Sequence, residues 1–576
     1  MNANFEFHSR ELGDNGLKRS YTDLLIIGSG GAGLIAACEA ARQGVSVTVV
    51  SKGKPGRSGA TVMAPGGVAA VCDLWCEKGD SPALHEREAY EGGEWLNNQE
   101  LMGTVAGRAG EVLLRLERMG SLWERTADGR QPKLKTDSGH SYNRSLLFED
   151  RIGREMMRGL TGELARLSVP VLEEIMVTSL IKRGGRVAGA LGFDVSTLET
   201  VVMECKCVLL ATGGAGMVYA NTSNPADLTG DGFLLALEAG AQLIDMEFVQ
   251  FFPIAMLFPE SYKGILCGTA MYSRLLNRQG ERFMARYDPA RMESSTRDRI
   301  SRAIMQEVLE GCGTARGGVY SDCSHNEPGF FRDFLNYAYK LHMSVGIDMD
   351  KDIFETAPSC HFFMGGVRVN GKWQTRVPGL YCIGEAAGGV HGANRISQNA
   401  LTDIVVSGVA AAESAAREAG EVERIFLSPT CAKPLEHAID SLLASKAGES
   451  PDEQREKMQR VMWEKAGVIR SGPSLQEAIG LIGQLAARPV HLADKSRWIN
   501  QSVVRAFENR SLAITAQAVA LSALTRTESR GAHYRSDFPN PGENWMRNVV
   551  LTKTGTGLRA STVPVAFPRM ERGKTP

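Results

Sequence analysis

Residues 22–52 read TDLLIIGSGGAGLIAACEAARQGVSVTVVSK: an apolar run, a glycine cluster, a small-residue stretch and a β-branched run. No other stretch restricts the fold as much, because strand, glycine turn, helix and strand in this order predict a parallel βαβ crossover and hence an open α/β sheet. Gly28 permits the tight turn, Gly30 lets backbone approach a diphosphate, and Gly33 lets the helix pack close to the strand. The turn Gly28, Ser29, Gly30, Gly31, Ala32, Gly33 then offers free amides at the positive end of a helix, which suits a dinucleotide diphosphate.

The second strand, Val45 to Val50, ends at Ser51 and Lys52. A nicotinamide dinucleotide site normally places an Asp or Glu there for the ribose hydroxyls, so Ser51 tilts the reading mildly towards FAD. A chain of 576 residues predicts two to four domains. With a net charge of −1 it has no electrostatic attraction to nucleic acid or anionic lipid. The sequence lacks a run of 18 apolar residues, and MNANFEFHSRELGDNG has no signal-peptide core, so the expected location is cytoplasmic, or peripheral at the inner membrane through partner subunits. Its eleven cysteines are scattered, and the close pairs Cys72/Cys76 and Cys205/Cys207 lack zinc or iron–sulfur spacing. No metal site is expected, and any iron–sulfur clusters belong to another subunit.

From Val171 to Thr212 the pattern is a β-meander ending in CVLLATGG, a buried strand returning to the cofactor domain. Residues 266–350 carry more charge and helical periodicity, as in Arg297 to Glu310, and read as an inserted domain. GLYCIGEAAGG (379–389) is another strand ending in glycines, and SQNALTDIVVSGVAAAESAAREAG (397–420) reads as a long helix with Ser397 as N-cap. After Leu427 the chain looks mainly helical as far as Arg535, and beyond Asn548 it shows few periodic signals and reads as a tail over a neighbour.

Five blocks together resemble the flavoprotein subunits of succinate dehydrogenase and fumarate reductase and the related L-aspartate oxidases. They are ATGGAGMVYANTSNPADLTGDGFLLALEAGAQLIDMEFVQF (211–251), RLLNRQGERFMARYDP (274–289), CHFFMGGVRV (360–369), GLYCIGEAAGGVHGANRISQNALTDIVVSG (379–408) and TRTESRGAHYRSDFP (525–539). The resemblance implies FAD held by the Gly28–Gly33 turn, Ser51, Lys52, Ser58, Gly59, Gly66, Gly67, Ala211, Thr212, Gly213, Asp231, Glu385, Ala400 and Leu401. It implies three catalytic residues: Arg297 to exchange the substrate proton, and His361 and Arg395 to hold a carboxylate. The helix after Ser397 would aim its positive end at the flavin.

The departures from the family pattern are equally informative. Ala60 stands where many members attach FAD covalently through a histidine, so noncovalent FAD is expected. Phe252 replaces a second substrate histidine. Ile265, Leu266 and Thr269 stand where the family has a substrate threonine and the glutamate and arginine of its proton relay. An unpaired distal carboxylate facing Phe252, Ile265 and Leu266 would be costly to bury.

These readings give an α/β fold: a Rossmann-like FAD-binding domain (20–265 and 351–425), an inserted α+β capping domain (266–350), a C-terminal helical domain (426–548) and a tail (549–576). The expected function is hydride transfer between flavin and the carbon–carbon bond of a small carboxylate, other than plain fumarate or succinate. A separate iron–sulfur or other electron-transfer subunit is expected as partner. An L-aspartate oxidase-like enzyme and a flavin electron carrier without substrate chemistry are the alternatives.

Overall fold

The computed structural model describes residues 11–12, 18–268 and 270–573. The strand Lys18–Ile27 ends in four buried apolar residues and pairs in parallel with Val47–Val50 on one side and Thr200–Leu210 on the other. Between the first two strands runs the helix Gly31–Arg42, whose first ten residues are all buried. Small side chains at Ala32, Ala36 and Ala37 let it lie against both the sheet and the helix Asn399–Glu421. Across the sheet the order is Val171–Leu172, Val47–Val50, Lys18–Ile27, Thr200–Leu210, Arg186–Asp194, Ile175–Arg183. Leu380–Cys382 adds a further parallel strand against the end of Thr200–Leu210. The expected meander is thus the antiparallel half of a sheet whose other half is parallel.

A four-stranded antiparallel sheet forms a second unit, in the order Val249–Met256, Ile353–Phe363, Val319–Asp322, Arg274–Leu276. It has its own apolar core, including Ile254, Leu275, Phe283, Ile304 and Phe354. Two of its strands lie outside residues 266–350. They run from this unit back to the cofactor-domain segments, and they carry Phe252 and His361.

Four helices, Lys433–Leu443, Pro451–Ala466, Gly472–Ala487 and Gln501–Thr525, make the C-terminal region. Ser450 and Ser471 start the second and third with capping boxes. Beyond Asn548 the expected aperiodic tail is instead a hairpin, Arg547–Thr554 with Gly557–Pro564. Its first strand buries Asn548 to Leu551 and pairs with Gln242–Ile244. The apolar run Val549, Val550, Leu551 is a strand buried on both faces, which leaves no alternation to read.

The long helix also starts differently from expectation. It begins at Asn399, and its N-cap is Gln398, in the left-handed region at φ 65° and without a capping side-chain bond. Ser397 does not cap because its hydroxyl accepts from Arg297 Nη2 at 3.2 Å, while the Gln398 amide donates to Asp137 Oδ2 at 2.7 Å. Both cap candidates are diverted to side chains across a cleft.

Candidate active site

The C-terminal ends of Lys18–Ile27 and Val47–Val50 open onto a cleft of about 900 Å³. Gly28 to Ala32, Ser51, Lys52, Ser58, Gly59, Ala211 to Gly213, Asp231 and Glu385 line it. Gly28 adopts φ 113°, and a Cβ there would lie 2.2 Å from the Ala211 carbonyl oxygen. A Cβ on Gly33 would lie 1.9 Å from the Gly28 oxygen, so this glycine sets the helix-to-strand approach. A Cβ on Gly30 would meet nothing closer than the Thr61 hydroxyl at 3.8 Å and would occupy the cleft itself. Gly33, Gly66, Gly67, Ala400 and Leu401 do not line this cleft. Ala400 and Leu401 form the first turn of the long helix.

Polar groups along the cleft are held in place from behind. Lys52 Nζ reaches Asp231 Oδ2 at 2.9 Å, Thr229 Oγ1 at 3.0 Å and Glu508 Oε1 at 2.6 Å. Against the cost of burial, those two carboxylates hold the ammonium firmly charged. Burial pushes the Glu385 carboxyl up to about 7, although the Phe363 amide donates to it at 3.0 Å. Asp231 Oδ1 and Thr212 Oγ1 are buried and have no partner among the described residues.

Beyond Glu385 lies a second cluster, brought together from three segments. Arg395 is 7% exposed; its Nη2 donates to Gln250 Oε1 at 2.8 Å, its guanidinium lies over Phe362 at 4.7 Å, and its Nε has no partner among the described residues. His361 comes from the strand Ile353–Phe363, with Nδ1 3.0 Å from the Ser223 hydroxyl. Arg297 opens the helix Arg297–Leu309 and lies over the Phe252 ring at 5.1 Å, and the same ring is 5.6 Å from the His361 ring.

Electrostatics couples these residues. Burial first, then the Arg297 charge, pushes Arg395 down to about 9. Burial followed by Arg395 and Arg297 drives His361 well below the usual imidazole range, so it is neutral at pH 7. Burial also lowers Arg297, and the charge of Asp137 opposes that. Among the described residues neither arginine has a carboxylate within ion-pair distance of its guanidinium, so the cluster, with Arg395 buried and Arg297 half-buried, is a positive site.

The apolar residues expected beside this cluster are only partly gathered there. Phe252 sits between Arg297 and His361. Ile265 packs with Phe252 against the core of the second unit. Leu266 bridges to Ala255 at the edge of the strand Val249–Met256. Thr269 lies outside the described residues.

The FAD binding domain family matches residues 23–401, and the fumarate reductase flavoprotein C-terminal family matches residues 455–575. One subunit of the fumarate reductase (CoM/CoB) of Methanothermobacter marburgensis is 38% identical over 92% of this chain and 97% of its own. The chain belongs to the fumarate reductase and succinate dehydrogenase flavoprotein family. An L-aspartate oxidase of Synechocystis is 31% identical over 94% of this chain and 98% of its own. The structure of Mycobacterium smegmatis Sdh1 in complex with UQ1 superposes with a TM-score of 0.90, at 34% identity over 96% of each chain.

As a member of this flavoprotein family the chain is an FAD-dependent oxidoreductase. Its cleft fits that cofactor: the opening at Gly30 suits a diphosphate, and the unpartnered Asp231 Oδ1 and Thr212 Oγ1 suit hydroxyl or amide donors. Sequence reading missed several contributors. Thr61 Oγ1 accepts from the Gly31 amide at 3.2 Å, and Asp227 Oδ2 accepts from the Gly59 amide at 2.9 Å. Asp227 lies in the segment NPADLTGDG, but neither residue stands in a spacing that singles it out. Asp137 and Ser397 were missed as well, since no local pattern ties residue 137 to residue 397. No helix among the described residues is long and apolar enough to cross a membrane.

Proposed function

We propose that this flavoprotein reduces, or in reverse forms, a carbon–carbon double bond next to a single carboxylate, with FAD held noncovalently. The observation that carries the reading is the positive cluster, in which Arg395, 7% exposed, keeps an Nε without a partner among the described residues. A buried guanidinium with a free donor calls for an anion, and a planar carboxylate matches its fork. His361, neutral and fixed through Ser223, supplies a further hydrogen-bonding edge. Arg297 stands across the Phe252 ring as proton donor to the substrate carbon. Bound FAD supplies or accepts the hydride. The relative named fumarate reductase supports chemistry at a double bond beside a carboxylate.

Phe252 argues for a monocarboxylate. Its ring fills the space between Arg297 and His361, where a second carboxylate would find π-electron density instead of a donor. Ala60 lines the cleft at the entry to Thr61–Met63 and offers no nucleophile for flavin attachment. The relatives named as subunits support an electron-transfer partner. Two experiments test the reading. Acid precipitation should release yellow flavin, and flavin retained on the polypeptide contradicts noncovalent binding. Dithionite-reduced protein, freed of excess reductant, should be reoxidised faster by crotonate than by fumarate; no reoxidation by any enoate sinks the substrate assignment.

A further inference from the structure

We infer that Asp137, acting through Ser397, supplies the proton that Arg297 delivers, and so replaces the relay acid that this chain lacks at Leu266. The inference rests on the reading of Arg297 as the proton donor. Arg297 makes no ion pair among the described residues, and its one side-chain hydrogen bond is Nη2 to Ser397 Oγ at 3.2 Å. Asp137 is the acid whose charge bears on it. The contact is indirect: the Ser397 hydroxyl takes the Arg297 N–H at 3.2 Å, and Ser397 and Gln398 are the residues to which the loop carrying Asp137 is tied.

The segment carrying Asp137 is fastened to the start of the long helix at three further points. The Ser397 amide donates to Ser138 O at 3.0 Å, His140 Nε2 lies 2.8 Å from Ser397 O, and Gln398 Nε2 donates to Asp137 Oδ2 at 2.7 Å. Gln398 makes the last bond at φ 65°, a conformation that a non-glycine residue keeps only where surrounding contacts impose it. Burial opposes ionisation of Asp137, but the Ser138 amide, the Arg297 charge, Gln398 and Ser397 together hold its carboxyl below the ordinary value. The titratable groups facing it are Arg297 and Arg395 across the cleft, Tyr272 from the second unit and His140 on its own loop. Asp137 is only half-buried, and Lys135, Thr136, Ser138 and Gly139 around it are exposed, so bulk water reaches the carboxylate.

The step balances. One hydride arrives at one alkene carbon while Arg297 Nη–H gives its proton to the other, leaving a saturated carboxylate and a neutral guanidine. The Asp137 carboxylate takes a proton from bulk water and hands it to the Ser397 hydroxyl, which passes its own to the neutral Arg297 guanidine; Asp137 returns to the carboxylate, and the net uptake is one hydride and one solvent proton. In this account Asp137 is a positioning residue that never touches substrate. Its negative charge lies near two arginines, so removing it should not weaken carboxylate binding.

The test compares the unmodified protein with Asp137→Asn, Asp137→Glu and Ser397→Ala, all loaded with FAD. The readouts are reoxidation of reduced protein by crotonate and fumarate across pH in H₂O and D₂O, and the Kd of the non-reacting carboxylate propionate from flavin absorbance. Asp137→Asn should lower kcat on the order of 10²-fold, the usual scale of a lost acid–base group. It should also flatten the pH profile, enlarge the solvent isotope effect, and leave propionate binding equal or tighter. Ser397→Ala should reproduce the kcat loss, and Asp137→Glu should restore part of it. Unchanged kcat and pH profile in both Asp137→Asn and Ser397→Ala overturns the inference. A fall in kcat accompanied by equally weakened propionate binding overturns it too, because that is the mark of a structural role. If the unmodified protein reacts with no enoate, the Arg297 reading fails first and the relay falls with it.

Discussion

Two groups of arginines in this flavoprotein are built on opposite principles. In the C-terminal region Arg526, fully buried, bonds Glu247 at 2.6 Å, Glu528 at 2.9 Å and the Arg547 carbonyl at 2.7 Å. Arg530 shares Glu528, and Arg535 bonds Asp537 at 2.6 Å. At the candidate active site Arg395 is buried and Arg297 half-buried, yet among the described residues neither meets a carboxylate in an ion pair. Burial works against the charge of both groups, but its acids hold Arg526 firmly charged, whereas Arg395 is pushed down to about 9. A charge whose partner belongs to the chain is scaffold, and a charge left without one is waiting for a ligand. The two regions meet at the backbone: the Ala532 amide, two residues after Arg530, donates to Ala393 O, two residues before Arg395, at 3.0 Å.

The largest effects should separate the groups. Arg526→Ala strands Glu247 and Glu528 in the interior and should cost about 3–5 kcal/mol of stability, read from the urea midpoint of the FAD-loaded protein. Arg395→Met should do the reverse. Its folded-state proton is held less tightly than in the unfolded chain, so the cation destabilises the fold at neutral pH and its removal should leave stability unchanged or raised. The same variant should lose carboxylate-dependent turnover by roughly 10²- to 10³-fold, about the 2–5 kcal/mol of a lost buried charge contact. If Arg395→Met unfolds the protein as readily as Arg526→Ala, the distinction is wrong.

Smaller effects sharpen the comparison. Phe252→His replaces the ring between Arg297 and His361 with a donor and should shift the fumarate-to-crotonate ratio of kcat/KM towards fumarate by about tenfold, roughly one hydrogen bond's worth. The pH dependence of propionate binding should be modest but directional. Arg395 is charged below about 9, so affinity should hold from pH 7 and decline as pH rises through 9; His361, already neutral, should add no limb near pH 6.5. An affinity that falls below pH 7 would point to a different cation.

Much of the cofactor half was legible because its signals are local. Gly28, Gly30 and Gly33 lie within six residues, and each meets a steric demand that the structure displays. The substrate half was legible only through resemblance, since residues 252, 297, 361 and 395 share no periodicity. What escaped reading was polar and non-local: the Asp137–Gln398 bond, and the paired network around Arg526, which joins residues 247 and 526. Ser397 looked like a helix cap because capping is the commonest use of such a serine, and tertiary contacts redirected it. The strand Arg547–Thr554 escaped because full burial removes alternation.

The central claim is that the unpaired arginine cluster takes one carboxylate and refuses a second. Titration of the FAD-loaded protein with propionate and with malonate at pH 7, followed by flavin absorbance, tests it directly. The account predicts that propionate binds at least about tenfold more tightly than malonate, a difference of about 1.4 kcal/mol, because the second carboxylate meets Phe252 and the apolar face beyond it. Malonate binding more tightly than propionate, with micromolar affinity, would show that both arginines pair with ligand carboxylates and would contradict the single-carboxylate site.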